Sequence, residues 1–410
     1  MKILHLFPYV PVPATFGGAL RVYHILNHLY ENYEDLYIAG FNREGELKLL
    51  KNEFPVNDDR LLFEKKEKSG WSRFLQLTSF FGDHSYWYEF ISSDTFQKKL
   101  DVFLEKENFD IILTEFASMG VFELKTDAVK VLDAHNVEYD NFRRMSNLKW
   151  SFLRKLFYTS EFKKVKSEEI EIFNKYDAVF ATSERDKDII EGHAGETKHF
   201  VVPNGVDTMF FNKNDEVEQE PFTMVFTGAM GYLPNQDGIM FFLDEIYPLI
   251  KNEIPEAKIY VVGSRPPERL QKYATDDVII TGFVDDVRPY IDRSSVYVVP
   301  LNMGSGTRLK VLEAMSMEIP IVSTSIGCEG IEIKDGENIL VRNEPQEFAN
   351  AVIELMRNKK LANDLVKEGY ELVKTKYDWS VVCKGIDRAF SELLDQKDYG
   401  KQSKKATQSV

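Results

Sequence analysis

Apolar positions recur in short blocks separated by amphipathic stretches. Ile3–Phe7 reads as a buried strand, followed by a Pro/Gly-rich loop ending in Phe16-Gly17-Gly18. Leu20, Tyr23, Ile25, Leu26 and Leu29 then fall near helical spacing, which predicts a helix over Ala19–Tyr30. Further strands are predicted at Leu36–Gly40, Asp110–Thr114, Val129–Asp133, Ala178–Thr182 and His199–Val202. The plan restarts at Phe222. Thr223–Thr227 reads as a strand, Gly228–Pro234 as a loop, and a helix follows from about Asn235 to Ile250. Strands recur at Lys258–Gly263, Val278–Gly282, Val296–Pro300 and Ile319–Ser323. Strands alternating with helices imply right-handed crossovers and mainly parallel sheets, hence an α/β chain with two doubly wound domains. Ligands on such sheets bind at the carboxyl ends of strands, and the expected site is a cleft between the two domains.

Between the halves, Asn212–Pro221 is acidic and nearly devoid of apolar residues. Alone it is an ordinary surface loop, but its place between two strand–loop–helix openings favours a boundary. A last helix, Ser380–Leu394, is amphipathic through Val381, Val382, Ile386, Phe390 and Leu394. The expected organisation is an amino-terminal domain over 1–205 and a carboxyl-terminal one over 206–378. A final helix over 379–396 packs back on the first domain, and a polar, frayed tail covers 397–410.

Composition narrows the function. The length of 410 residues suits two or three domains at roughly 150 residues each. Lys and Arg total 51 against 66 Asp and Glu, a net charge of −15. That argues against a chain-wide nucleic-acid partner, though not against a local basic patch. Two cysteines, Cys328 and Cys383, make neither a disulfide framework nor a cysteine zinc site. Pro8, Pro11 and Pro13 break the first apolar run, and none approaches the ~18 residues of a membrane span. The expectation is a cytoplasmic protein, with peripheral contact at the inner face of the plasma membrane left open.

The strongest chemical signal is Asn302–Met315, which follows a strand and opens a helix. Gly304 and Gly306 permit close backbone approach, the helix start offers free N–H groups, and Arg308 and Lys310 add positive charge. Together these suit a diphosphate. Glu313 lies on the face of Lys310 and could accept hydrogen bonds from a ribose diol. The alternative is a helix cap with a Lys310–Glu313 surface pair. Gly304-x-Gly306 is also half of a dinucleotide fingerprint, but Leu309 replaces the third glycine; no Gly-Lys-Ser/Thr of a P-loop occurs.

This segment resembles the donor-binding motif of retaining GT-B glycosyltransferases, specifically glycosyltransferase family 4 (glycosyl transferases group 1). That family usually carries two glutamates separated by seven residues and ends in Val-Leu-Glu-Ala-Met, which Val311–Met315 matches. Ile319–Thr324 with Ile326–Gly330 resembles the next strand and glycine turn. Val202-Pro203-Asn204-Gly205-Val206-Asp207 resembles the domain junction. Thr281-Gly282-Phe283-Val284 with Asp286 resembles the loop on the nucleotide base, and Phe16–Ala19 the first amino-terminal loop. The pieces come in the family's order over nearly the whole chain.

The resemblance implies a GT-B fold, two Rossmann-like domains facing a cleft, and transfer of a sugar from a nucleotide-diphosphate sugar to a glycan or lipid-linked acceptor. The setting would be surface polysaccharide or glycoconjugate synthesis. Gly17, Gly18, Gly228, Ser305, Gly306, Thr307, Arg308, Lys310 and Glu313 would bind the donor, with Glu313 on the ribose. His135, in Leu132-Asp133-Ala134-His135-Asn136-Val137-Glu138, stands where the family places a histidine beside the reacting sugar; unaided, it reads as a loop histidine. No metal or cofactor is expected, because a helix dipole and basic side chains take the cation's place.

Two departures stand out. Ser305 replaces the first glutamate of the pair, and Gly228–Gly238 lacks the family's basic residues, so Arg308 and Lys310 would supply the charge. An epimerase on the same fold and a non-catalytic nucleotide-binding protein are the rivals, with a dehydrogenase a distant third. His24 and His28 have metal-pair spacing without a supporting cluster, and Asp276-Asp277 and Asp285-Asp286 are acidic pairs near strand ends. Asn141–Lys166 gathers Arg143, Arg144, Lys149, Arg154, Lys155, Lys163, Lys164 and Lys166 around aromatic residues, with Glu161 the one acid. It is either a solvated face over a core stripe or a seat on anionic lipid.

Overall fold

The computed structural model describes residues 1–66, 79, 82–146, 152–195, 197–304 and 306–408. It divides into two compact units, one of Met1–Pro203 with Cys383–Val410, the other of Asn204–Val382.

In the first unit seven strands form one sheet in the order β3-β2-β1-β4-β5-β6-β7. They are β1 (Lys2–Phe7), β2 (Asp35–Asn42), β3 (Leu61–Lys65), β4 (Ile111–Glu115), β5 (Val129–Asp133), β6 (Ala178–Ala181) and β7 (Lys198–Val201). Every pairing is parallel. Such strands are covered on both faces, which is why β1, β4 and β5 read as near-continuous apolar runs. The edge strand β3 escapes that pattern, because Glu64 and Lys65 interrupt its apolar run. Helix α1 (Gly17–Asn32) buries Ala19, Val22, Ile25, Leu26 and Leu29. Helices α2 (Glu138–Ser146) and α3 (Phe152–Asn174) follow β5.

The second unit has six parallel strands in the order β10-β9-β8-β11-β12-β13. They are β8 (Thr223–Thr227), β9 (Lys258–Val262), β10 (Val278–Gly282), β11 (Val296–Val299), β12 (Ile321–Ser323) and β13 (Leu340–Val341). Helix α4 (Leu233–Phe241) widens into a π-type segment at Phe242–Ile246 and resumes over Tyr247–Glu253. Pro248 lacks the N–H that would bond the Asp244 carbonyl, and the wider turn absorbs that loss. Helix α5 (Leu309–Ser316) follows β11. In each sheet the strand order reverses once, between β1 and β4 and between β8 and β11, and doubly wound sheets bind ligands in the crevices at such reversals.

Two expectations need adjusting. The chain changes unit between Pro203 and Asn204, so acidic Asn212–Pro221 lies within the second unit. There the Glu220 N–H donates to the Arg293 carbonyl (2.7 Å), and the Tyr260 hydroxyl donates to the Glu220 carboxylate (2.9 Å). The last helix, α6 (Trp379–Gln408), continues past Leu394, where the apolar spacing stops. Lys, Gln and Ala carry it on by local propensity. From Cys383 onward it belongs to the first unit, where Ile386 and Phe390 are fully buried and Phe390 stacks on Phe180 at 6.1 Å.

Candidate functional site

In the second unit, β8 ends at Thr227 and the chain turns sharply at Gly228, whose φ is +152°. A Cβ there would lie 2.7 Å from Asn235 Nδ2 and 2.8 Å from Lys310 Nζ. The residue is glycine because the loop, α4 and α5 converge on that point. Lys310 reaches across from the first turn of α5 and donates to the Thr227 carbonyl (2.6 Å) and Asn235 Oδ1 (2.9 Å), with its ammonium 4.2 Å from the Phe226 ring centre. The expected alternative of a Lys310–Glu313 surface pair is therefore not what forms. Burial lowers the Lys310 pKa to about 7, against the attraction of Glu313. Burial raises Glu313 to about 7, against Lys310. The Glu313 carboxylate accepts no hydrogen bond from the described residues. Both side chains are half-buried. A cation held at the mouth of β8 thus stands where Gly228–Gly238 has no basic residue of its own.

Arg308 sits differently. It precedes α5, is 7% exposed, and donates from Nε to the Ile326 carbonyl (3.3 Å). A Cβ on Gly304 would lie 2.9 Å from its guanidinium, so the Gly304 turn (φ +112°) is shaped around Arg308. Gly306 has φ +77°, and Thr307 Oγ1 is buried without a partner among the described residues. Ser305 lies outside the described residues. Gly282 makes a left-handed turn (φ +73°) at the end of β10 and leaves Phe283 75% exposed. The acidic pairs hold cations of the protein itself, Asp286 with Arg288 (2.8 Å) and Asp277 with Lys251 (2.8 Å). In the first unit His28 bonds Asp387 (2.9 Å).

The first unit has its own cluster at the ends of β4 and β5. His135 is 5% exposed, has a left-handed backbone (φ +45°), and stacks on Phe116 at 3.7 Å between centroids. Phe116 is left-handed too (φ +66°), two strained non-glycine residues at one spot. Gly18 lies under this stack. A Cβ on it would meet Phe116 Cζ at 2.8 Å and Tyr9 Oη at 2.9 Å, so Gly18 makes room for aromatic packing; Gly17 opens α1 beside it. His135 Nε2 bonds Glu115 Oε2 (2.6 Å), and the other Glu115 oxygen bonds His5 Nε2 (2.6 Å). Asp133, 3.7 Å from His135 Nε2, is clamped by Arg21 through Nε (2.7 Å) and Nη2 (2.9 Å). Arg21 also donates to the carbonyls of Val202 (2.8 Å) and Pro203 (2.9 Å).

His5, Arg21, Glu115 and Asp133 are all essentially fully buried. Burial lowers His5 to about 3. Burial and the charge of Asp133 raise Glu115 to about 7, against His135 and Arg21. Asp133 is pushed up by burial, yet Arg21 and His135 hold it below the usual carboxylate range. Glu115, Asp133 and His135 each offer a ligand atom, all within 4.8 Å of one another. Their donor set does not fit a cation: each atom is already paired, and Arg21 supplies the positive charge.

The candidate residues thus fall into two groups. Gly228, Gly306, Thr307, Arg308, Lys310 and Glu313 gather at the β8/β11 reversal, and Gly17, Gly18 and His135 at the β1/β4 reversal. His5, Arg21, Glu115 and Asn235 were not singled out from the sequence. A histidine inside an apolar strand and an acid at a strand end were the visible signals, but the partners lie 20 to 112 positions apart.

Residues 221–358 match the model of the family described as Glycosyl transferases group 1. An uncharacterized 44.6 kDa protein in the cps region of Klebsiella pneumoniae is 24% identical, over 63% of this chain and 67% of its own length. The phosphatidyl-myo-inositol mannosyltransferase of Mycobacterium leprae is 26% identical over 47% of this chain and 53% of its own. These matches span about half to two thirds of the relatives' lengths. Among solved structures, Anabaena HepE in complex with UDP superposes with a TM-score of 0.68 at 12% identity, over 96% of this chain and all of the other. That likeness and the two parallel doubly wound sheets give the GT-B fold. The chain thus has the GT-B fold and, over 221–358, is similar to the family described as Glycosyl transferases group 1.

Proposed function

We propose that this chain transfers a sugar from a nucleotide-diphosphate sugar to a glycan or lipid-linked acceptor in surface polysaccharide or glycoconjugate synthesis, with retention at the anomeric carbon and no metal ion. The observation that carries the reading is Lys310. Its ammonium is half-buried beside the Gly228 turn at the strand reversal, where a diphosphate can take the place of its carbonyl and amide partners. The first turn of α5 adds its N–H groups. Glu313, without a hydrogen-bond donor among the described residues, is suited to a ribose diol. Arg308 shapes the Gly304 turn from below. A phosphatidyl-myo-inositol mannosyltransferase among the similar sequences and a UDP complex among the similar structures support the donor class.

The positive end of α5 and Lys310 would stabilise charge growing on the departing diphosphate, the work a metal does elsewhere. His135 would hydrogen-bond the transferring sugar while the acceptor attacks from the leaving-group side. On α3, Arg154, Lys155, Leu156 and Lys163 are exposed and Glu161 is buried, which suits contact with anionic lipid beside a lipid-linked acceptor. No described helix is long and apolar enough to cross a membrane.

A thermal-shift panel of nucleoside diphosphates and nucleotide sugars tests the donor class, with a rise of several degrees expected for one base. Product analysis with that donor and candidate acceptors then reads the transfer and the anomeric configuration. Epimerised donor without any acceptor, or binding with no turnover across acceptors, would overturn it. His135→Ala is expected to cut turnover by about 10²-fold.

A further inference from the structure

The cluster around Glu115 leaves its protons little choice. His5 is wholly buried in β1; its Nε2 faces Glu115 at 2.6 Å and its Nδ1 has no partner among the described residues. A neutral imidazole carries one N–H, and a buried donor without an acceptor is costly, so the His5 proton sits on Nε2 and points to Glu115 Oε1. The other oxygen, Oε2, faces His135 Nε2 at the same distance. The remaining groups facing Glu115 are fixed. Arg21 is charged and clamps Asp133, Asp133 is held ionised by that clamp, and Tyr9 stays neutral because burial raises it. With Glu115 and Asp133 ionised, Arg21 charged and both histidines neutral, the buried cluster carries one net negative charge. One added proton neutralises it. His5 does not take that proton, since burial keeps it neutral down to about pH 3.

We propose that Glu115, backed by His5, is a positioning residue that shares one exchangeable proton with His135, so that His135 presents an Nδ1–H donor. The inference rests on His135 acting on the transferring sugar, as proposed above. Whether the shared proton lies on the carboxyl or on Nε2, the ring carries hydrogen on Nδ1, on the edge away from Glu115, and Nδ1 has no partner among the described residues. The stack on Phe116 fixes the ring plane. Loss of the proton turns Nδ1 from donor into acceptor, and the rise of Glu115 to about 7 sets that change near neutral pH. The donor form suits a hydroxyl oxygen of the transferring sugar, held in place while the bond to the anomeric carbon breaks and its electron pair leaves with the diphosphate.

The first test uses the full chain labelled with 15N-histidine and no substrate, with His135 assigned by His135→Gln. Expected is a protonated Nδ1 at about pH 6, lost as pH rises toward about 9. A pyridine-type Nδ1 across the range overturns the proposal. The second uses Glu115→Gln, whose carbonyl accepts from His5 and whose amide donates to His135 Nε2. That variant holds Nδ1–H at every pH. It should recover most of the ~10²-fold kcat loss expected of Glu115→Ala and lose the alkaline fall of the unsubstituted enzyme. Glu115→Gln as impaired as Glu115→Ala, or with an unchanged pH profile, also overturns it. If the proton is seen by NMR and no sugar transfer is found, the functional reading fails and the positioning role of Glu115 stands.

Discussion

Lys310 makes the most quantitative prediction. Its ammonium is held by two neutral acceptors, and burial brings its pKa to about 7. A diphosphate brought to about 4 Å would attract it by roughly 4 kcal/mol at an effective dielectric of about 20. That is worth about three pKa units and returns the bound lysine to near 10. Binding then takes up a proton whenever the free site has lost one. The sign follows directly: affinity for UDP should be nearly flat below about pH 7 and fall by up to about tenfold per unit above it. Between about pH 7 and 8.5 the expected loss is about 20-fold. The assay is isothermal titration of UDP, with other nucleoside diphosphates in parallel, in buffers of differing ionisation enthalpy so that proton uptake is read separately. Lys310→Met removes the charge but keeps the stem over Phe226. It should weaken binding by about 1.5–3 kcal/mol at low pH and abolish the pH dependence. A dissociation constant independent of pH in the unsubstituted chain, or Lys310→Met binding as tightly, would refute the reasoning.

Other consequences follow from the same geometry. Gly228→Ala places a Cβ 2.8 Å from Lys310 Nζ at φ +152° and should cost about 1–3 kcal/mol of stability, with weaker UDP binding, read by denaturant unfolding and titration. Arg21→Met leaves Asp133 buried without its clamp and should cost about 3–5 kcal/mol, while adding Asp133→Leu should recover most of it; a single-variant loss under about 1 kcal/mol would contradict the clamp. EDTA should leave initial rates unchanged, since Arg21 and Lys310 already occupy the cationic positions; a loss restored by Mn2+ or Mg2+ would reverse that view.

Much of the architecture was legible because a parallel strand covered on both faces must be a short apolar block, and a crossover helix must alternate with it. Ile111–Glu115, Val129–Asp133 and Thr223–Thr227 follow from that rule. Strands β3 and β13 did not, because Glu64 and Lys65 break the apolar run of the first and the second is only two residues long. The glycines of Gly304–Gly306 announced left-handed turns, and the Lys310–Glu313 spacing announced a shared helix face.

What the chain alone could not decide was pairing. Side-chain contacts between Lys310 and Asn235, or among His5, Glu115 and His135, join residues from 20 to 110 positions apart. No local periodicity encodes them. Local sequence determines which backbone forms and which face is apolar, because those depend on neighbours within a turn or a pleat. The order of strands in each sheet decides which loops meet. Only there does burial set the charge state of Lys310, Glu313 and Glu115, because desolvation depends on what surrounds a group in space.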